Sequence, residues 1–308
     1  MSLCVTFLGT SGAVPTVRRN TSAVLVRREG DRLLFDCGEG TQRQMMRFRT
    51  GFDVSHLFVS HTHADHTLGI PGLFQTWDFN DRHEAIALHV PNGERRTISH
   101  LLDGSGTDPG FPVRINEVGP GDVAYRGEDF EVRAFRTEHR TRSVGFALVE
   151  DDRKGRFDRE RAEELGVPVG PKFSTLHEGD PVELEDGTVV RPEQVVGEPR
   201  PGRRVVYTGD TRPADATVEA ARDADLLIHD ATFAEEWADR AGPTGHSTAR
   251  EAARVAREAG AKRLALTHIS SRYAGDVGPL ASQARQEFDG RCFVPDDGDE
   301  LEIPYPDG

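Results

Sequence analysis

His61-Thr62-His63-Ala64-Asp65-His66 places three imidazoles and one carboxylate within six residues. The apolar run Leu57-Phe58-Val59 leads into it, and Gly69-Ile70-Pro71-Gly72 follows. Alternate residues of a strand share a face, so a strand ending here aims His61 and His63 to one side. The turn after them can send Asp65 and His66 to a second point a few ångströms away. Imidazole nitrogen together with carboxylate oxygen suits zinc. Two donor sets on one short loop fit two ions about 3.5–4 Å apart, as in two-metal hydrolases. The alternative is a histidine-rich polar loop, and the spacing behind a strand weighs against it.

The motif resembles that of the metallo-β-lactamase superfamily. The resemblance implies three further ligands downstream, each at a strand end. His139 follows the strand-like Phe130-Glu131-Val132-Arg133-Ala134, Asp210 follows Val205-Val206-Tyr207-Thr208-Gly209, and His268 closes Leu264-Ala265-Leu266-Thr267. Each ends a short apolar run, where sheet strands can converge. A carboxylate such as Asp210 has two oxygens and can bridge two ions.

The chain has 308 residues, enough for one large domain or a domain with an insertion. Its three cysteines, Cys4, Cys37 and Cys292, lie far apart, so neither a disulfide framework nor a thiolate zinc site is indicated. A reducing cytoplasm fits. Leu3-Cys4-Val5-Thr6-Phe7-Leu8 reads as a first strand, not as a signal peptide, and no apolar run approaches membrane-spanning length. Net charge is −14, and lysine occurs only at Lys154, Lys172 and Lys262. An acidic, lysine-poor chain is the composition of proteins that work in molar salt, as in halophilic archaea; a GC-rich genome also favours Arg over Lys. Such acidity argues mildly against a nucleic-acid substrate.

Strand signals and turns alternate through residues 3–60, with a hairpin at Val24–Val26 and Leu33–Phe35 around Glu29-Gly30-Asp31. Helices are expected over Gln42–Arg49, over residues 67–80, 213–222 and 248–260, with short strands filling the middle of the chain to residue 150. Thr248 and Glu251 have capping-box spacing. Strands are expected at Val205–Tyr207, Leu226–Ile228 and 264–267. Residues 151–172 break the pattern: they are charged, lack β alternation and end in Gly166-Val167-Pro168-Val169-Gly170-Pro171. They read as an insertion. Two strand-rich halves with helices outside give an α/β fold, a four-layer αβ/βα sandwich with the metals at one edge of the sheets. The tail after Ile303 is expected to be loosely ordered.

Within the superfamily the chain resembles tRNase Z (ribonuclease Z), in its short form, over nearly its whole length. The matching segments are Phe7–Pro15, Arg19-Asn20, Phe35-Asp36-Cys37-Gly38-Glu39-Gly40-Thr41, His61–His66, Gly69–Leu73, Gly170-Pro171 with Leu176 and Gly179, Gly209-Asp210-Thr211, His246-Ser247-Thr248 and Leu266–Tyr273. The Gly-Pro arm and the His-Ser-Thr element select this family. The resemblance implies a single domain over 1–308 with an inserted tRNA-binding arm at 151–181. It implies a zinc-dependent endoribonuclease that removes 3′ trailers from precursor tRNA after the discriminator nucleotide, leaving a 3′-hydroxyl on the tRNA and a 5′-phosphate on the trailer. His61, His63 and His139 would hold one Zn2+, and Asp65, His66 and His268 the other, bridged by Asp210; Mn2+ or another divalent ion could take their place. Asp65 orients the nucleophile or accepts its proton, and His246 assists the leaving oxygen. Asp36 supports the metal loop. Arg18, Arg19 and Asn20, with Gly170, Pro171 and Lys172 of the arm, would meet the RNA. The partners implied are precursor tRNA and a second copy in a homodimer, without membrane or nucleotide cofactor.

Two departures from the family pattern stand out. Its His-Glu-Ala-Thr element reads His229-Asp230-Ala231-Thr232 here, and Asp is one methylene shorter than the Glu expected to pair with His246. Its Pro-x-Lys-x-Arg-Asn loop reads Pro15-Thr16-Val17-Arg18-Arg19-Asn20, with Val17 at the lysine position. His229 fits a buried structural histidine as well as a proton network. Residues 151–172 carry six basic and six acidic side chains, so the arm is locally neutral in an acidic chain. The other functions open to the sequence are a binuclear hydrolase of a small phosphodiester, lactone or thioester, and an idle RNA-binding protein that keeps zinc for folding. A β-CASP-type nuclease lacks support, because no large domain lies between Asp210 and His268.

Overall fold

The computed structural model describes residues 2–106 and 108–306. Leu3–Gly9 shows why the chain layers as it does. Leu3, Val5 and Phe7 enter one apolar cluster, while Leu8 enters another. Strands buried on both faces read as near-continuous apolar runs. The same is true of Ala23–Arg28 and Asp31–Phe35, so the sheet they build must be covered on both sides.

Among the described residues there are two seven-stranded sheets. The first runs, in spatial order, Glu300–Glu302, Leu3–Gly9, Ala23–Arg28, Asp31–Phe35, His56–Phe58, Ile86–Pro91 and Val113–Val118. The second runs Arg291–Phe293, Arg263–Thr267, Leu226–Asp230, Arg204–Tyr207, Val144–Glu150, Phe130–Arg136 and Val123–Gly127. Phe7, Phe35 and Phe58 from the first meet Phe130, Phe146 and Ile228 from the second in the inner core. Phe58 stacks on Phe35 at 4.9 Å and meets Phe146 edge-on at 5.3 Å. Truncating such a ring to alanine costs about 3–5 kcal/mol. Helices Thr41–Phe48, Gly69–Phe79 and Arg95–Gly104 cover the outer face of the first sheet, and Ala249–Glu258 and Gly278–Arg285 that of the second. This is the four-layer αβ/βα sandwich.

The middle of each sheet is parallel: Asp31–Phe35, His56–Phe58 and Ile86–Pro91 in one, Arg204–Tyr207, Leu226–Asp230 and Arg263–Thr267 in the other. The carboxyl ends of parallel strands open toward one edge, where ligands of open α/β sheets bind. Several expected boundaries shift. The helix expected over 67–80 begins earlier, as Ala64–Thr67 followed by Gly69–Phe79, so Asp65 and His66 sit on a helical turn. Residues 95–104, expected among short strands, are helical, with Ile98 and Leu102 four apart on the buried face. Thr248 and Glu251 do form a capping box. Glu300–Glu302 pairs with the first strand and Ile303 is buried; of the tail after Ile303, residues 304–306 are described, without helix or strand, and the Tyr305 ring centroid lies 4.0 Å from the Arg203 guanidinium.

Residues Glu150–Gly202 form a second compact unit. It has its own small core of Ala162, Val167, Leu176, Val182, Val190 and Val195. The stretch without β alternation yields helix Arg159–Glu164, capped where Asp158 Oδ1 accepts the Arg161 N–H at 2.9 Å. Gly170 has φ 149°, open to glycine, and delivers Pro171 as the first residue of helix Pro171–Glu178.

Half-buried His56 and buried His89 form a pair at the inner core, His56 Nδ1 to His89 Nε2 at 3.0 Å, with the His89 ring stacked on Phe58 at 4.6 Å. Burial lowers His56 to about 4 and His89 to about 3. An unfolded histidine takes up its proton near pH 6.5. The unfolded state therefore binds more protons as pH falls below that value, and stability is lost progressively through about pH 4 and about pH 3. Replacing both with phenylalanine (His56→Phe, His89→Phe) is expected to flatten the loss of stability between about pH 7 and about pH 5. Urea midpoints at the two pH values measure it; an unchanged slope in the double variant would contradict the assignment.

Candidate metal centre

His61 lies beyond the end of strand His56–Phe58, His139 beyond Phe130–Arg136, Asp210 beyond Arg204–Tyr207, and His268 directly after Arg263–Thr267. The fold brings all of them to one edge with His63, Asp65 and His66. Asp210 stands between two sets, each with its ligand atoms within 4.8 Å of one another: His61, His63 and His139 on one side, Asp65, His66 and His268 on the other. Asp210 Oδ2 is 3.4 Å from His61 Nε2 and 3.9 Å from His139 Nε2. Asp210 Oδ1 is 3.2 Å from both His66 Nε2 and His268 Nε2. His63 presents Nδ1, 3.0 Å from His61 Nε2 and 3.4 Å from His139 Nε2. Asp65 Oδ2 is 3.1 Å from His268 Nε2 and 3.6 Å from His66 Nε2.

The opposite nitrogens are held by the protein. His66 Nδ1 meets Asp36 Oδ2 at 2.7 Å, His139 Nδ1 the Gly245 carbonyl at 2.8 Å, His268 Nδ1 Thr232 Oγ1 at 2.8 Å and His61 Nδ1 Ser60 Oγ at 3.0 Å. A proton fixed on Nδ1 by an acceptor leaves the Nε2 lone pair directed into the cluster, the arrangement of metal-bound histidines. Asp36 is fully buried at φ 56° and also accepts from the Ser60 N–H at 2.7 Å and the Tyr207 hydroxyl at 2.6 Å.

The donor set fits cations. His66 Nε2 and Asp210 Oδ1 are buried yet make no hydrogen bond. Burial would raise Asp210, but His268, His66 and His61 outweigh it and hold the carboxyl well below its usual range. Burial also opposes the charge on His66, but Asp210 and Asp36 overcome it and push His66 well above its ordinary value. His61 is driven down by burial and by His66. Divalent ions between imidazole nitrogens and two carboxylates satisfy these groups together.

Beside the cluster, His246 Nδ1 is 2.9 Å from Asp230 Oδ2. The shorter Asp230 thus still reaches His246. It is itself fixed by the Thr211 N–H at 3.1 Å, the Thr232 N–H at 2.9 Å and the Thr232 hydroxyl at 2.7 Å. Burial works against the His246 cation, but Asp230 raises it to about 9. His229, one residue earlier on the strand, is fully buried with Nδ1 2.8 Å from the Asp230 carbonyl, and it is not in the ligand sets.

The remaining expected site residues divide. Arg18 is exposed at the tip of its loop next to fully exposed Val17. Arg19 is buried: Nη1 donates to Thr10 Oγ1 at 2.7 Å and to the Pro295 carbonyl at 2.6 Å, and Nη2 to Asp296 Oδ1 at 2.5 Å. Asn20 donates its side-chain amide to the Glu39 carbonyl at 2.7 Å. Lys172 Nζ donates to the Glu183 carbonyl at 2.7 Å within the second unit, which also carries Gly170 and Pro171. Ser60, Tyr207, Thr232 and the Gly245 carbonyl also orient the cluster, although none of them is among the site residues expected from the sequence. Each adjoins or lies near a motif residue in the chain, and that adjacency was the available signal.

The profile of the metallo-beta-lactamase superfamily matches residues 16–268. A protein of Haloferax volcanii named ribonuclease Z is 68% identical over 307 residues, covering 100% of this chain and 97% of that protein. The ribonuclease Z of Natronomonas pharaonis is 66% identical, with 100% of each chain covered. The crystal structure of human tRNase Z, short form, aligns with TM-score 0.70 at 30% identity, covering 98% of this chain and 99% of that one.

Because Asp210 faces both sets, Asp210→Asn is expected to weaken cation binding at both, whereas His139→Ala is expected to weaken it at one. The loss should exceed the about 10–100-fold that removal of a supporting hydrogen bond costs. Cobalt titration with absorbance detection reads the two events separately; an Asp210→Asn protein that loses only one ion would show that the carboxylate is not shared.

Proposed function

The chain belongs to the ribonuclease Z endoribonucleases of the metallo-β-lactamase superfamily, and from that premise we propose that it removes 3′ trailers from precursor tRNA with two zinc ions. The observation that carries the reading is the pair of donor sets meeting on the two oxygens of Asp210, with the Asp230–His246 pair beside them. When bound, the ions supply Lewis acidity toward the phosphoryl oxygens and a nucleophile at neutral pH; Mn2+ or another divalent ion could serve.

The chain's own groups do the rest. Asp65 orients the attacking water and can accept its proton. The phosphorus–O3′ bond after the discriminator nucleotide breaks as the oxygen of water bonds to phosphorus. Asp230 holds His246 by Nδ1, so Nε2 is the nitrogen left to protonate the departing O3′. The tRNA leaves with a 3′-hydroxyl and the trailer with a 5′-phosphate. Asp36 keeps His66 in the tautomer that offers Nε2.

Substrate contacts in this reading come from Arg18 at the loop tip and from the arm at 151–181 with Gly170, Pro171 and Lys172. Arg19 and Asn20 serve by holding the loop. A homodimer is part of the proposal: Met46, Leu68 and Phe79 expose apolar surface along two neighbouring helices, where a second copy could cover it. The cytoplasm is the proposed compartment.

A precursor tRNA with a short 3′ trailer, cut across a salt series from dilute buffer to molar salt, tests the reading. One cut after the discriminator, leaving a 3′-hydroxyl, best at high salt and absent in His63→Ala, is expected. No cut at any salt by a folded, metal-loaded protein would move the function to a small-molecule hydrolase. Replacing residues 151–201, the whole compact unit that carries the arm, with a short linker is expected to raise KM for precursor tRNA at least about tenfold while sparing hydrolysis of bis(p-nitrophenyl) phosphate; equal loss on both substrates would remove the arm's role.

A further inference from the structure

The turn Ser11-Gly12-Ala13 lies against the second donor set. Gly12 packs on His268: a Cβ built at Gly12 would sit 2.5 Å from both Cε1 and Nδ1 of the ring and 2.8 Å from the His268 carbonyl. Real Cβ atoms do not approach so closely, and the ring is already fixed by Thr232. Ala13 stands at φ 63°, a left-handed conformation that costs a residue with a side chain about 1–2 kcal/mol. That conformation aims the Ala13 N–H at Asp65 Oδ2, 2.7 Å away, the same oxygen that lies 3.1 Å from His268 Nε2. The segment is sewn to the strand end that carries His268. Ser11 and Gly12 pair in parallel with Ile269 and Ser270, and the Ile269 N–H donates to the Thr10 carbonyl at 2.8 Å. His268 is itself left-handed, at φ 58°.

We propose that Gly12 and Ala13 are positioning residues for the ion held by Asp65, His66 and His268, Gly12 by leaving room for the His268 ring and Ala13 by orienting the Asp65 carboxylate through its backbone N–H. The inference rests on the ligand sets proposed above. It differs in kind from them, because neither residue offers a ligand atom. The first donor set has no such contact with this turn in the hydrogen-bond pattern, so the direct effect is on one ion, and the other is reached only through Asp210. The same turn runs on into Val14–Arg18, the exposed loop beside the site. The loop is clamped where Asp297 Oδ2 accepts the Asn20 N–H at 2.6 Å and Asp297 Oδ1 accepts the Thr10 hydroxyl at 2.8 Å. A shift of the loop therefore reaches Asp65 and His268 directly.

The test measures metal, not only cleavage. Gly12→Ala is expected to keep the first ion at parental affinity and to weaken the second by about 10–100-fold, as for other supporting groups of a metal site. Ala13→Gly retains the N–H and the left-handed backbone, and should keep two ions. Ala13→Val retains the N–H but strains that backbone, and should weaken the second ion as Gly12→Ala does. Cobalt titration and metal content per chain give the readout, with circular dichroism and thermal melting to establish folding. A folded Gly12→Ala protein with two ions at parental affinity would overturn the inference. So would loss of both ions together, which would mean a general collapse of the site. A parent that does not bind two ions would instead bring down the ligand assignment on which the inference rests, and the inference with it; Gly12→Ala like the parent, with the parent binding two, brings down the positioning role alone.

Discussion

Asp210 is a carboxylate buried between the nitrogens of His61, His66 and His268. Taking one carboxylate out of water costs several kcal/mol, and it is repaid only where cations and hydrogen bonds surround it. Here the surroundings come from three other strand ends in two different sheets. That constraint explains the parallel middle of each sheet, since only parallel strands deliver several carboxyl ends to one edge. It explains why Asp36, also buried, draws on Ser60, His66 and Tyr207 at once, tying the first sheet to the second through a single carboxylate. It also couples metal to folding: an arrangement of buried imidazoles and carboxylates that no unfolded chain possesses gains its stability when cations bind.

The residues that the fold brings together at this edge could be picked out in the sequence because their spacing is local or because each closes an apolar run. The supporting groups were harder to see. Thr232 matters because the strand ending at Asp230 runs parallel to the one ending at Thr267, which sets Thr232 beside His268. No short-range pattern encodes that. Asp230 is the instructive case. By length alone it looked too short to replace Glu, yet its side chain is drawn to His246 and held by two backbone amides and one hydroxyl. The distance depends on where residue 246 returns to the sheet, which only the fold determines. Arg19 is the opposite case. In a charged loop a solvated guanidinium is the ordinary expectation, and its burial depends on Pro295 and Asp296, almost the whole chain away. The helix at 95–104 is not legible in the sequence because only Ile98 and Leu102 of it are buried, too few to raise the periodic signal above the flanking strands.

Charge poses the remaining physical question, because a chain of net −14 must approach a polyanion. In molar salt the Debye length is about 3 Å, so repulsion from distant carboxylates hardly reaches the RNA. The same screening removes long-range attraction from arginines. Recognition must then rest on contacts made at hydrogen-bond range and on stacking, which salt weakens least. A rigid loop suits that requirement better than a mobile basic tail. The residues flanking Arg18 are rigid in this sense: Arg19, Asn20 and Thr10 are all bonded to the segment Pro295–Asp297.

That rigidity has a consequence for the chemistry. An exposed loop contributes to catalysis only if its position is transmitted to reacting groups, and flexible loops transmit little. Here Thr10 and Gly12 bracket a parallel pairing with Ile269 and Ser270, adjacent to a ligand whose backbone is already in a strained conformation. Displacing such a ligand by a few tenths of an ångström changes how well it meets a cation, because coordination distances tolerate only about 0.2 Å. A displacement of Val14–Arg18, such as the proposed seating of substrate there would cause, reaches the second donor set through covalent bonds and one amide hydrogen bond. The first donor set makes no hydrogen bond to that turn; its His139 is held by the Gly245 carbonyl and its His61 by Ser60. The turn that leads into the exposed loop thus touches one donor set directly and the other only through Asp210 and the shared segment His61–His66.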